Sequence, residues 1–101
     1  MEKTISNNDF NELLQKENLV VIDVREADEF AAGHIPNAKN LPLSQLENRF
    51  FELAKDTHYY VICHSGRRSE IACQFLTAQG YQVTNVLGGM MDWKGAVVDG
   101  R

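Results

Sequence analysis

The sequence predicts an α/β fold: a central, mostly parallel five-stranded sheet with helices on both faces, in three layers. Two observations predict it. Short apolar, β-branched runs alternate with segments of roughly ten residues that carry helical periodicity, the pattern of successive βα units. Two of the runs, Leu19 to Ile22 and "YYVIC", are continuously hydrophobic rather than alternating, which marks strands buried on both faces, as in a parallel sheet.

The elements follow in order. "TIS" is predicted as a short edge strand. Ser6 then serves as a helix N-cap with Asp9 at the third helical position, in capping-box fashion. Phe10, Leu13 and Leu14 supply an i, i+3, i+4 stripe, giving a helix from about Asn7 to Lys16. The run from Leu19 to Ile22 is a strand ending at Asp23. "EADEFAAGHIP" reads as a short helix stopped by Gly33 and a turn closed by Pro36. "AKNLP" is a further short strand. Ser44 is expected to cap a helix to about Ala54, with Leu46, Phe50, Leu53 and Ala54 on one face. "YYVIC" is the next strand. Ser69 is expected to cap a helix through Gln79, with Gly80 at its end. "YQVTNVL" is the last strand, and "GGMMDWKG" a loop with a helical turn carrying Trp93.

With 101 residues, one domain spanning 1–101 is expected, large enough for a core without staples. The chain is 44% hydrophobic and 24% charged, ordinary for a soluble globular protein. It has no apolar stretch of roughly 18 residues that would span a membrane. "MEKTISNNDF" lacks the basic start and apolar run of a secretory signal, so a cytoplasmic location is expected. The net charge of −4 argues against nucleic acid as a partner, since phosphate binding needs a basic face. The two cysteines, Cys63 and Cys73, are not in C-x-x-C spacing and have no His/Cys cluster beside them, which argues against zinc. A monomer is the default.

The stretch "YVICHSGRRSE" carries the chemistry. Cys63 stands at the carboxyl end of a buried strand, where working sites of parallel α/β sheets lie. It is followed by His64, Ser65, Gly66, Arg67, Arg68 and Ser69, and then by a helix. A helix N-terminus offers unpaired N–H groups and partial positive charge. Gly66 lets successive N–H groups turn inward into an anion nest. His64, Arg67 and Arg68 add donors or cations. All three effects favour a thiolate; free cysteine titrates near ~8.5, and comparable environments bring that to roughly 3.5–7.5. Two readings of Cys63 stay open from this stretch alone, a buried core cysteine or a nucleophile. Cys73, on the following helix among Ile71, Ala72, Phe75 and Leu76, reads as core packing.

Three blocks resemble the rhodanese family of sulfurtransferases in its small single-domain form. "VVIDVREADEFAAGHIPNAKNLPL" is similar to the family's N-terminal block, "VICHSGRRS" to its active loop, and "GYQVTNVLGGMMDW" to its C-terminal block, in the family's order over roughly residues 5 to 95. The resemblance implies that Cys63 is the catalytic residue. It would take a sulfur atom from a donor such as thiosulfate or a persulfide, hold it as a persulfide within backbone N–H groups from Ser65 through Ser69, and pass it to a thiol, a protein acceptor or cyanide. It implies no metal and no organic cofactor. His64 and Arg67 are candidates to bind an anionic donor at the entrance; simple solvated loop residues are an equal reading of both. Arg68 closes the loop, pointing inward or pairing with an acid. Asp23 and Arg25, at the neighbouring strand end, are expected to brace the active loop by hydrogen bonds. His34 reads as a structural hydrogen-bonder, Trp93 as a lid on the core, and Gly88 and Gly89 as a tight turn near the site.

Competing functions share this topology. Cysteine phosphatases and arsenate reductases of related fold need a wider cup, with one more residue between cysteine and arginine. Here four residues separate Cys63 from Arg68, and Ser69 stands where the wider loop would place arginine. A non-enzymatic regulatory module and a persulfide carrier serving a protein partner are compatible with the same fold.

Overall fold

The computed structural model describes residues 3–100. Five strands, β1 (Lys3–Ile5), β2 (Val20–Asp23), β3 (Lys39–Asn40), β4 (His58–Ile62) and β5 (Gln82–Val86), form one sheet in the order β1-β5-β4-β2-β3. Every neighbouring pair is parallel, so the sheet is wholly rather than mostly parallel. The helices are α1 (Asn7–Lys16), α2 (Ala27–Ala32), α3 (Leu46–Arg49) and α4 (Arg67–Ala78). From β2 the chain moves outward to β3; from β4 it moves the opposite way to β5. Right-handed crossovers running in opposite directions put the following helices on opposite faces, and a crevice opens outside the carboxyl ends of β2 and β4.

The strand period of two divides the core. Ile22, Tyr59, Val61 and Val83 face Ala72, Cys73 and Leu76 of α4, together with Leu46 and Leu53. Val21, Ile62 and Val86 face Phe10 of α1 and Ile35, with Tyr60 and Trp93 packed against them. Cys63 continues the odd-numbered face of β4 one step beyond the strand, so it points toward α4. No helix among the described residues is long and apolar enough to cross a membrane.

Several boundaries depart from the sequence expectation for identifiable reasons. α1 matches, with Ser6 Oγ accepting the Asp9 N–H at 3.1 Å. The helix expected from Ser44 to Ala54 is instead three short pieces: a 3-10 turn over Leu43–Gln45, α3, and a second 3-10 turn over Phe50–Glu52. Ser44 caps nothing, because its hydroxyl is donated to Glu26 Oε1 at 2.8 Å. Leu46 and Leu53 are buried and Phe50 partly so, but Ala54 is exposed. Ser69 is not the cap of α4 either. Gly66, at φ +102°, turns the chain straight into the helix and is itself the N-cap. Ser69 therefore falls in the first helical turn. At the far end, Gly80 (φ +92°) closes a Schellman motif, with Tyr81 N–H donating to Leu76 O and Gly80 N–H to Thr77 O.

Candidate active site

Strand β4 delivers Cys63 to the crevice, and two backbone contacts fix where it stops. Cys63 O accepts the Met90 N–H and His64 O accepts the Met91 N–H, each at 2.8 Å. Both donors lie on the 3-10 turn Gly89–Asp92 that follows β5. That turn approaches closely because Gly89 has no side chain: a Cβ there would lie 2.4 Å from Cys63 O. Gly88 and Gly89 are both left-handed, at φ +80° and +57°. The expected glycine turn near the site is thus also the strut that holds the start of the active loop.

Cys63 is fully buried. Its Sγ accepts the Gly66 N–H at 3.0 Å, the inward-turned amide that the left-handed glycine permits. Ser69 Oγ lies 3.3 Å from the same sulfur and 3.1 Å from Gly66 O. The sequence places Ser69 at the helix start as a cap; the structure places its hydroxyl beneath the sulfur instead. The Gly66 N–H favours electron density on sulfur, since a donor aimed at an anion forms a stronger hydrogen bond than one between neutral groups, whereas either atom of the Ser69–Cys63 contact can be the donor.

Arg68 pairs with a carboxylate. Its guanidinium forks onto Glu29 of α2, with Nη1 to Oε1 at 2.6 Å and Nη2 to Oε2 at 2.8 Å. Of the two orientations open to it, inward or toward an acid, Arg68 takes the acidic partner. The hydrogen bond to Arg68 holds the Glu29 carboxyl down at about 2, against the opposing effect of burial, and Glu29 in turn raises Arg68. Glu29 also accepts the Glu26 N–H in the capping box of α2. One carboxylate therefore ties the start of α4 to the start of α2 across the crevice.

Asp23 and Arg25 are buried at the end of β2 and bind each other. Arg25 Nη2 reaches Asp23 Oδ2 at 2.8 Å, and Asp23 Oδ1 accepts both the backbone N–H and Nε of Arg25 at 3.0 Å. Arg25 Nη2 also donates to Gly33 O at 2.8 Å, and Asn40 Nδ2 donates to the carbonyls of both Asp23 and Arg25. Asp23 and Arg25 thus brace the turn after α2 and the entry to β3. Side chains that reach the loop and the start of its helix are instead Glu29, through Arg68, and Asn85, through Gly66 O. The reason is geometric: Arg25 folds back onto its own strand end, which leaves its guanidinium pointing at the Gly33 turn.

His64, Ser65 and Arg67 are the solvent-facing residues of the loop. His34 is buried, its Nδ1 2.8 Å from Phe30 O and its ring stacked on Phe30, as a structural histidine should be. Trp93 lies with its ring 5.6 Å from Phe10, covering the second core cluster. Among the described residues, no group of three or more His, Cys, Asp or Glu side chains is placed to hold a metal ion. Sequence reasoning missed Glu29, which stands 39 positions from Arg68, and Asn85, which reads only as a strand residue.

Known proteins similar to this chain identify its family and fold. The profile described as Rhodanese-like domain matches residues 6–96. A sulfurtransferase of Allochromatium vinosum is 39% identical over 80% of this chain and 77% of its own length. The thiosulfate sulfurtransferase GlpE of Coxiella burnetii is 34% identical over 93% of this chain and 89% of its own. YrkF of Bacillus subtilis, named as a candidate sulfur carrier, is 46% identical over 78% of this chain, which spans only 43% of that relative. Among solved structures, a rhodanese-like domain protein from Staphylococcus aureus superposes with a TM-score of 0.89 at 33% identity, over 98% of this chain and 99% of that one. A rhodanese-related protein from Thermoplasma volcanium gives 0.88 at 35%, over 95% and 97%.

Proposed function

The chain belongs to the rhodanese-like domain family, and from that premise we propose that it is a sulfurtransferase working through a persulfide on Cys63. The observation that carries the reading is the buried Cys63 sulfur held by the Gly66 N–H and the Ser69 hydroxyl at the crevice. The Cys63 thiolate attacks the outer sulfur of a donor such as thiosulfate. A new S–S bond forms, the donor's S–S bond breaks, and sulfite departs with the electron pair. A thiolate or cyanide then attacks the outer sulfur of the persulfide and Cys63 leaves as thiolate. The cycle is double displacement through a covalent enzyme. The loop amides stabilise charge on attacking and leaving sulfur in both halves.

Because Sγ has no exposed surface, the loop from His64 to Arg67 yields locally before a donor's outer sulfur reaches it. His64 and Arg67, facing solvent, meet an anionic donor first. A second reading, a carrier that hands its persulfide to a protein thiol, draws support from the YrkF relative and uses the same first half-reaction. Intact mass before and after thiosulfate tests the shared step. The protein gains one sulfur atom that cyanide removes, and Cys63→Ser gains none. Turnover of an aryl phosphate without sulfur loading would overturn the proposal in favour of a phosphatase.

A further inference from the structure

We infer that Asn85 of β5 is a positioning residue, which holds the Gly66 carbonyl so that the Ser69 hydroxyl can serve the Cys63 sulfur. The inference rests on the sulfur-transfer reading only for its purpose; the geometry stands apart from it. Ser69 has one hydroxyl hydrogen and two acceptors in reach, Gly66 O at 3.1 Å and Cys63 Sγ at 3.3 Å. While Cys63 is a thiol, its S–H donates to Ser69 Oγ and the hydroxyl hydrogen goes to Gly66 O. When the thiol loses its proton to solvent, the hydroxyl turns and donates to the thiolate. Gly66 O then retains the Glu70 N–H at 3.2 Å and Asn85 Nδ2 at 3.4 Å. Asn85 is the donor that comes from outside the loop and its helix. Through the planar trans peptide, the same anchor sets the aim of the Arg67 N–H, which runs opposite to the Gly66 carbonyl.

The cost of Asn85 points the same way. It is 3% exposed, and its Oδ1 is buried with no hydrogen-bond partner among the described residues. A buried unpaired acceptor is destabilising, and a bond of 3.4 Å returns little. Reversing the amide gives no relief, because Oδ1 would then face Gly66 O. An apolar side chain of the same size would suit the fold at least as well, so stability does not account for an asparagine here.

The test follows iodoacetamide modification of Cys63, located by peptide mass, as a function of pH in the full-length protein. The charged and titratable groups on the elements packed around the sulfur are Arg68 with its partner Glu29, Glu70 on α4, Asp23 and Arg25 at the end of β2, Asp92 on the 3-10 turn, and His64 and Arg67 in the loop. All are unchanged in the variants and act as a common offset. Asn85→Leu is expected to melt no lower than the parent, and to react about threefold more slowly on the rising limb of the profile, with the same plateau at high pH. Asn85→Asp, which loses the donor and adds negative charge, is expected to move the limb further, about tenfold. In a Ser69→Ala background, Asn85→Leu should change the rate less than about twofold, because no hydroxyl is left to hand over. The inference is overturned if the Asn85 variants superimpose on the parent, if only the plateau falls, or if the effect persists in full without Ser69. Failure of the parent to load sulfur from thiosulfate would defeat the proposed function and leave this result readable.

Discussion

Cys63 and Cys73 are equally buried, at 0% exposure, and both belong to the core cluster under α4. Burial alone therefore does not separate the two; the backbone each stands on does. Cys73 sits in mid-helix, where the surrounding N–H groups are committed to carbonyls four residues back. Cys63 sits where a strand has ended and a helix is about to begin, so N–H groups are available, and left-handed Gly66 turns its own onto the sulfur. On the proposed function, the position at which the chain changes secondary structure is what makes the Cys63 thiol useful.

The largest expected effect breaks this comparison outright. Cys63→Ser should reduce sulfur loading and thiosulfate turnover to the uncatalysed level, whereas Cys73→Ser should keep both within about twofold while losing about 1 kcal/mol of stability for a changed core side chain. Turnover assays beside denaturant unfolding separate the two. Loss of turnover in folded Cys73→Ser would give that cysteine a chemical role and collapse the distinction.

A second comparison sharpens the first, because α4 carries a left-handed glycine at each end. Gly66 has φ +102° and Gly80 φ +92°. An alanine at either position adopts a conformation that costs about 1 kcal/mol or more. Near Gly66 the added Cβ meets Gly88 N at 3.3 Å, backbone that cannot swing aside. Near Gly80 it meets Lys55 Nζ at 3.2 Å, the mobile end of a side chain. Gly66→Ala is thus expected to lower turnover at least about tenfold by re-aiming the amide on Cys63, with Gly80→Ala close to the parent in turnover and both variants destabilised. Gly66→Val should be worse again, since a β-branched residue tolerates positive φ poorly. Equal turnover in the two alanine variants would show that the amide's direction does not matter.

These contrasts also mark what is legible in the sequence. Continuous apolar runs locate the buried strands, and Ser6 with Asp9 locates α1, because each signal is local and its partner lies within a few residues. Cys63 is legible for the same reason: strand, turn glycine and helix are contiguous around it. Ser69 reads at the right boundary with the wrong task, since sequence cannot say that Gly66 starts the helix early. Glu29 and Asn85 are not legible at all. Their partners, Arg68 and Gly66, stand 39 and 19 positions away and meet them only once the sheet has folded. Arg25 reads as a hydrogen-bonding brace near a strand end, but nothing local tells whether it reaches the loop, as expected, or the Gly33 turn, as found.

The smallest expected effect concerns the Glu29–Arg68 tie, and its pH dependence has a definite sign. Glu29 is ionised in the folded protein down to about pH 2, whereas an unfolded glutamate titrates near ~4.3. Its folded value is depressed, so its contribution is complete above the unfolded value and is lost as pH falls from there toward the folded one. Both side chains are about a third exposed, at 33% and 34%, and solvent screens the pair. Glu29→Gln is therefore expected to lower the melting temperature at pH 7 by only about 2–4 °C. The gap between variant and parent should narrow below about pH 4, as the unfolded parent takes up a proton at Glu29 that the folded protein does not, while glutamine takes up none. Turnover at neutral pH should fall by no more than about threefold, since the Gly66 amide still addresses the sulfur when the tie at the loop's edge is weakened. A gap that stays constant down to about pH 3 would mean that the pair carries no charge-dependent stability. A loss of turnover as large as that of Gly66→Ala would mean that the loop is held from its rim, not from the floor beneath Cys63.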